Sequence, residues 1–137
     1  MSSSRSEDSR ERRELRLAPG REAPSEARRS VGEWLGEVLP SGRLYETQLL
    51  VSELVTNSVR HAELGDEPWI EIAAQVSPQT VLVEVLDSSS GYDPRPPPDL
   101  PAAAGTGGHG LYLLNRLADE WGFGPEGRSR IWFRIDR

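Results

Sequence analysis

Three short segments, in a fixed order, restrict the architectures open to this chain. Glu53 to Ala62 reads Glu-Leu-Val-Thr-Asn-Ser-Val-Arg-His-Ala and sets a carboxylate and an amide on one helix. Asp87 to Asp93 reads Asp-Ser-Ser-Ser-Gly-Tyr-Asp and closes an apolar strand with a carboxylate. Thr106 to Leu111 reads Thr-Gly-Gly-His-Gly-Leu and runs a glycine loop into a helix. Each is weak alone. Their order and spacing in one small domain call for a fold that joins a helix flank, a strand end and a helix start.

A length of 137 residues fits one domain with a single core. Residues 1–12 hold Ser, Arg, Glu and Asp with no apolar side chain after Met1. Such a stretch cannot offset its ordering entropy, so a disordered tail is expected there, with the domain over 13–137. The chain has no cysteine, which removes disulfides and thiolate metal sites. No apolar run nears the roughly 18 residues of a membrane span, and the polar N-terminus is unlike a signal peptide. A soluble, cytoplasmic protein without a membrane role is expected. The net charge of -6 argues against direct nucleic-acid binding. All 16 basic residues are Arg, so any cation contacting a phosphate must be Arg or His.

The periodicity gives a coarse layout. Glu14 to Leu17 alternates as a short strand. Pro24 to Leu39 carries Ala27, Val31, Trp34, Leu35 and Val38 at helical spacing, with Pro40 as a stop. Arg43 to Ala62 predicts a second, stronger helix. Trp69 to Val76 and Thr80 to Leu86 predict strands joined by a Ser77-Pro78-Gln79 turn. Asp93 to Gly105 is rich in Pro and Ala and predicts an irregular loop. Gly110 to Ala118 predicts a short helix. Trp121 to Phe123 and Ile131 to Ile135 predict closing strands around Gly124-Pro125-Glu126-Gly127. The fold class expected is α+β: a two-layer sandwich whose mixed, mostly antiparallel sheet is covered on one face by helices.

On the second helix, Glu53, Asn57 and His61 stand at i, i+4 and i+8 and drift by only about 40° per step. They border the apolar arc of Leu50, Val51, Leu54, Val55, Val59 and Ala62. Side chains there look into a cleft at the core edge. They read as a water-activating carboxylate, a metal-ligating amide oxygen and a neighbouring imidazole, or as an ordinary solvated flank. Asp87 ends its strand, where an ionised carboxylate can accept from an exocyclic amine such as that of adenine. Gly91 would let a flat base come close. The same residues also suit a plain turn. Gly105-Thr106-Gly107-Gly108-His109-Gly110 exposes backbone N–H groups at a helix start, an arrangement that favours phosphate. It also suits a flexible hinge, and at least one of its glycines is expected at positive φ. It is neither a P-loop, for want of the Lys-Ser/Thr pair, nor a dinucleotide fingerprint, for want of a βαβ unit.

Taken jointly, the segments resemble the boxes of the ATP-binding fold shared by gyrase, Hsp90, histidine kinases and MutL. Within it the chain is most similar to the small bacterial anti-sigma-factor serine kinases and their actinobacterial relatives. Glu53-x-x-x-Asn57 with Ala62 matches the asparagine box. Asp87-x-Ser89-x-Gly91-Tyr92-Asp93 matches the Asp-x-Gly-x-Gly-Phe-Asp box, with serine at the first glycine. Gly107-Gly108-His109-Gly110-Leu111 matches the last box, with His109 where an aliphatic residue is usual. The likeness runs from about Arg13 to Arg137.

The resemblance implies a Bergerat-type ATP-binding domain with ATP and Mg²⁺ as cofactors. It makes Glu53 the general base and Asn57 the metal ligand. The ATP-binding set it implies is Asn57, His61, Asp87, Gly91, Tyr92, Thr106, Gly107, Gly108, His109, Gly110 and Leu111, with residues 93–105 as a lid. A threonine that family members carry near the last strand has Ser129 or Arg130 in its vicinity here. The implied function is an ATP-binding regulator: an anti-sigma-factor serine/threonine kinase that phosphorylates an anti-anti-sigma (STAS-type) partner and binds a sigma factor. An ATP-responsive protein-binding module with little or no turnover stays open beside it, favoured by Ser89 and by the proline-rich lid. A free-standing ATPase is disfavoured, since the larger members couple hydrolysis to a further domain. A homodimer is implied, formed through the first strand and helix, where Trp34 and Leu35 face a partner.

Overall fold

A computed structural model describes residues 11–61, 65–89, 109–124 and 127–137, with the backbone alone at 61, 109, 127 and 128. The element order is β1 (Glu11–Leu17), α1 (Ala23–Leu35), α2 (Ser41–His61), β2 (Ile70–Val76), β3 (Thr80–Asp87), α3 (His109–Leu117), β4 (Glu120–Gly124) and β5 (Gly127–Asp136). The strands form one sheet in the order β1-β2-β3-β5-β4. All of its pairings are antiparallel, one step more regular than the mostly antiparallel sheet expected.

The sheet follows from period-two alternation. On β3, Val81, Val83 and Val85 are buried in the core, while Thr80, Leu82 and Leu86 are half exposed. The same alternation places Asp87 on the core side, the side that the helices cover. The β2–β3 hairpin closes where expected, with Ser77 N–H donating to Thr80 O at 2.9 Å. Its far end is extended beyond the strands: Ser88 N–H donates to Trp69 O at 3.1 Å, and Trp69 N–H to Ser88 Oγ at 3.0 Å. β1 begins at Glu11, ahead of the expected Glu14. Glu11 pairs with Val76 and Arg12 with Gln75, and Arg12 also bonds the Glu14 carboxylate at 2.7 Å.

Helix α1 buries Ala23, Ala27, Val31 and Leu35, a strict i, i+4 stripe, with Pro24 in its first turn. It stops four residues before the expected Leu39. Gly36 weakens the helix there, and the following turn carries Leu39 into the core. Leu35 is itself fully buried in the core. The expectation that it faces a partner is therefore wrong: the i, i+4 stripe turns it inward. Trp34 packs partly buried against the same core. Helix α2 lies against α1 closely enough that Gln48 Nε2 donates to Arg28 O at 2.9 Å. A side chain at Gly32 would collide with that amide, its Cβ lying 2.6 Å from Gln48 Nε2. Leu50, Val51, Leu54 and Val55 of α2 meet Leu111 and Leu114 of α3 and Phe133 and Ile135 of β5 in the core between the two layers. No helix among the described residues is long and apolar enough to cross a membrane.

Candidate functional site

One turn of α2 gathers the described parts of the three segments. Asn57 and Ser58 are adjacent there, and they face different neighbours. Ser58 Oγ donates to Asp87 Oδ2 at 2.8 Å, joining α2 to the end of β3. Asn57 meets the start of α3: a Cβ built on Gly110 would lie 2.8 Å from Asn57 Nδ2 and 3.3 Å from Leu54 Cδ2. Gly110 belongs to α3, and no positive φ occurs at it. Its constraint is room; Gly107 and Gly108, the other glycines expected to allow a positive φ in this loop, lie outside the described residues.

Asp87 is 8% exposed and sits on the covered face of β3. It accepts three hydrogen bonds from described residues. Ser58 holds Oδ2, while Ser89 donates twice to Oδ1, through its N–H at 3.0 Å and its Oγ at 2.5 Å. A buried carboxylate needs such donors, since an unpaired buried charge is costly. Ser58 was not foreseen in the sequence. Nothing local marks it, because its partner lies across the layers. An open pocket of about 320 Å³ adjoins Asp87 and is lined by Trp69, Leu86, Ser88, Ser89, Ser129 and Arg130.

Ser129 and Arg130, both near the place of the family's threonine, separate by side. Ser129 is 7% exposed and lies two residues before Ile131, four before core Phe133. Arg130 instead donates to Glu84 on the open face of the sheet at 2.6 Å. Glu84 also receives Arg12 at 3.7 Å. On this face the Arg12 guanidinium is raised above its usual range, first by its bond to Glu14, and Arg134 likewise by its bond to Asp136.

Glu53 lies one turn before Asn57 and is half-buried, as is Asn57. Both occupy the border of the α2 apolar arc, whose Leu54 and Val55 are buried. His61 ends α2, four residues on. The start of α3 holds His109, Gly110 and Leu111, with Leu111 buried. The first N–H groups of a helix have no intrahelical acceptor, so this end presents donors beside Asn57. α3 is tied to α2 at its C-terminal end. Arg43 of α2 donates to Leu117 O at 3.2 Å and to Asp119 Oδ2 at 2.5 Å at the C-terminal end. A cation there also suits the helix dipole. Gly91, Tyr92, Thr106, Gly107, Gly108 and the lid over 93–105 lie outside the described residues.

The arrangement can hold an anion at the start of α3 and an amine at Asp87. The Asn57 amide lies beside the start of α3, and its oxygen is a hard donor of the kind a divalent cation takes. Among the described residues no three His, Asp or Glu side chains cluster as a metal cage.

Comparison with known proteins bears on this geometry. The chain is similar in fold to the crystal structure of the RsbU and RsbW domains of Rv1364c from Mycobacterium tuberculosis, with a TM-score of 0.66 and 19% identity. The likeness covers 93% of this chain and 32% of that one, so this chain spans about a third of the length of the chain it matches. No curated protein matches the chain. A family model described as histidine kinase-like ATPase domain matches residues 18–134. With that match over most of its length, the chain belongs to the family of histidine kinase-like ATPase domains, a nucleotide-binding family.

Proposed function

We propose that this chain is an ATP-binding regulator that acts as an anti-sigma-factor serine/threonine kinase on an anti-anti-sigma partner of the STAS type. The observation that carries the reading is the convergence on one turn of α2. Asn57 meets the glycine start of α3, Ser58 meets the β3 carboxylate, and Glu53 stands one turn away. In this reading Glu53 serves as the base and Asn57 as the oxygen ligand for a metal.

In this reading Asp87 accepts from the adenine amine, and the N–H groups opening α3 bind phosphate oxygens. Asn57 would hold Mg²⁺ through its amide oxygen, and the cation would offset the phosphate charge. Glu53 takes the proton of the partner's serine hydroxyl as that oxygen attacks the γ-phosphorus. The bond from the γ-phosphorus to the bridging oxygen breaks, and ADP leaves. The setting is cytoplasmic, and the protein works as a homodimer that binds a sigma factor in turn.

A second reading is a nucleotide-responsive binding module with little turnover. The Ser89 hydroxyl on Asp87 favours it, since that bond occupies the group that would recognise the base. Incubation with γ-labelled ATP, Mg²⁺ and a STAS-domain protein separates the two. Label transferred to a partner serine supports the kinase. Partner binding that depends on ATP, without transfer, supports the module. Neither result, with no nucleotide bound, would overturn both.

A further inference from the structure

The box that the second segment resembles has glycine two residues after its aspartate, and this chain has Ser89. The hydroxyl it adds does not face open solvent. Ser89 Oγ donates to Asp87 Oδ1 at 2.5 Å, in the short range of charge-assisted O–H···O⁻ bonds. The Ser89 N–H donates to the same oxygen at 3.0 Å. A carboxylate oxygen offers two lone-pair directions, so one residue fills Oδ1. Ser58 holds the other oxygen from α2. Ser89 also lines the open pocket beside Asp87, whereas Ser58 reaches the carboxylate from the helix layer.

We infer that Ser89 sets the nucleotide affinity of this site, as an internal competitor for the carboxylate that recognises the base. The inference rests on the nucleotide-binding reading above. An exocyclic amine that comes to Oδ1 replaces the Ser89 hydroxyl there, and the hydroxyl turns about χ1 to release its place. The backbone N–H keeps its bond throughout, so the turn stays formed. The exchange replaces one charge-assisted bond with another. The amine therefore gains little at Asp87, and the site responds to nucleotide at higher concentrations than the same site without the hydroxyl.

The competition is specific to a ligand that carries the amine, and this separates it from simple crowding. Titration calorimetry with Mg²⁺ should compare ATP with purine riboside triphosphate, which lacks the 6-amino group. The proteins are wild type, Ser89→Ala and Ser89→Thr, each checked for an unchanged circular dichroism spectrum. Ser89→Ala should bind ATP roughly tenfold more tightly, the worth of one such bond. Its affinity for the amine-free analogue should match wild type. Ser89→Thr keeps the hydroxyl and should stay near wild type for both. Equal gains for the two nucleotides would assign Ser89 a steric role and overturn the inference. So would an ATP affinity unchanged or weakened in Ser89→Ala. Absence of nucleotide binding to wild type and Ser89→Ala alike, at millimolar concentration, would remove the nucleotide reading itself.

Discussion

Gly110 on α3 and Asn57 on α2 are fitted to each other: a Cβ on the glycine would come within 2.8 Å of the asparagine Nδ2. Nothing closer than ordinary contact could be tolerated there without moving that amide. The backbone of Gly110 is helical, so a methyl group adds no φ strain. The glycine thus protects the placement of the Asn57 side chain rather than the fold.

Gly110→Ala should accordingly separate stability from binding. Alanine gains about 1 kcal/mol in helix propensity over glycine, which offsets part of the local crowding. The melting temperature without ligand should stay within a few degrees of wild type. Affinity for Mg²⁺-ATP should fall roughly tenfold or more, since Asn57 loses its pose as an oxygen donor. Calorimetry with and without Mg²⁺ checks this, and a Mg²⁺-dependent affinity equal to wild type would show that Asn57 is not the ligand.

Asp87→Asn tests the carboxylate, and here the two effects should travel together. The native group accepts three bonds from Ser58 and Ser89. An amide offers one acceptor oxygen, so its NH₂ must face one of those donors. A serine hydroxyl can turn to accept from that NH₂, so the stability loss is about 1 kcal/mol, from charge-assisted bonds replaced by weaker neutral ones. The thermal gain given by Mg²⁺-ATP through linkage should largely vanish as well. Thermal scans with and without nucleotide measure both. A variant that keeps the full nucleotide-induced shift would remove Asp87 from base recognition.

How far the sequence reached depends on the range of the interaction. Periodicity placed β2, β3 and α2 within a few residues, because burial on one face acts locally along the chain. The end of α1 was misplaced, since the turn that carries Leu39 inward answers to core packing and not to Pro40. Ser129 was legible in hindsight. Counting back by twos from Phe133 through Ile131 reaches it, and the same count sends Arg130 to the open face. Ser58 was not legible, because its bond to Asp87 crosses from the helix layer to the sheet. The glycine loop is legible as a place where no Cβ can intrude, but that Asn57 is the group crowding Gly110 is set only by the packed structure.

Arg43 offers a test of how α3 is held. Its guanidinium reaches Glu46, Leu117 O and Asp119, and so ties α2 to the end of α3. Arg43→Ala should cost about 1–2 kcal/mol of stability by chemical denaturation. Arg43→Lys should restore only part of that, because an ammonium lacks the fork that serves several acceptors at once. Full recovery with lysine would mean that charge alone, and not the geometry, secures the helix.

Glu53→Ala separates binding from chemistry under the proposed mechanism. The carboxylate acts on the attacking hydroxyl, which belongs to the partner, and not on the bound nucleotide. Loss of a general base commonly costs 10²- to 10⁴-fold in rate, roughly. ATP affinity should therefore stay near wild type while phosphate transfer to the partner falls by about that factor. Because Glu53 is half-buried at the edge of the core, truncation should leave the melting temperature close to wild type. Glu53→Gln keeps the shape without the charge and should fall as far as alanine, since an amide cannot take the proton. The measurement is single-turnover transfer from labelled ATP, with binding followed in parallel by calorimetry. Wild-type transfer in Glu53→Gln would exclude Glu53 as the base. A matching loss of ATP affinity would instead assign Glu53 to nucleotide positioning.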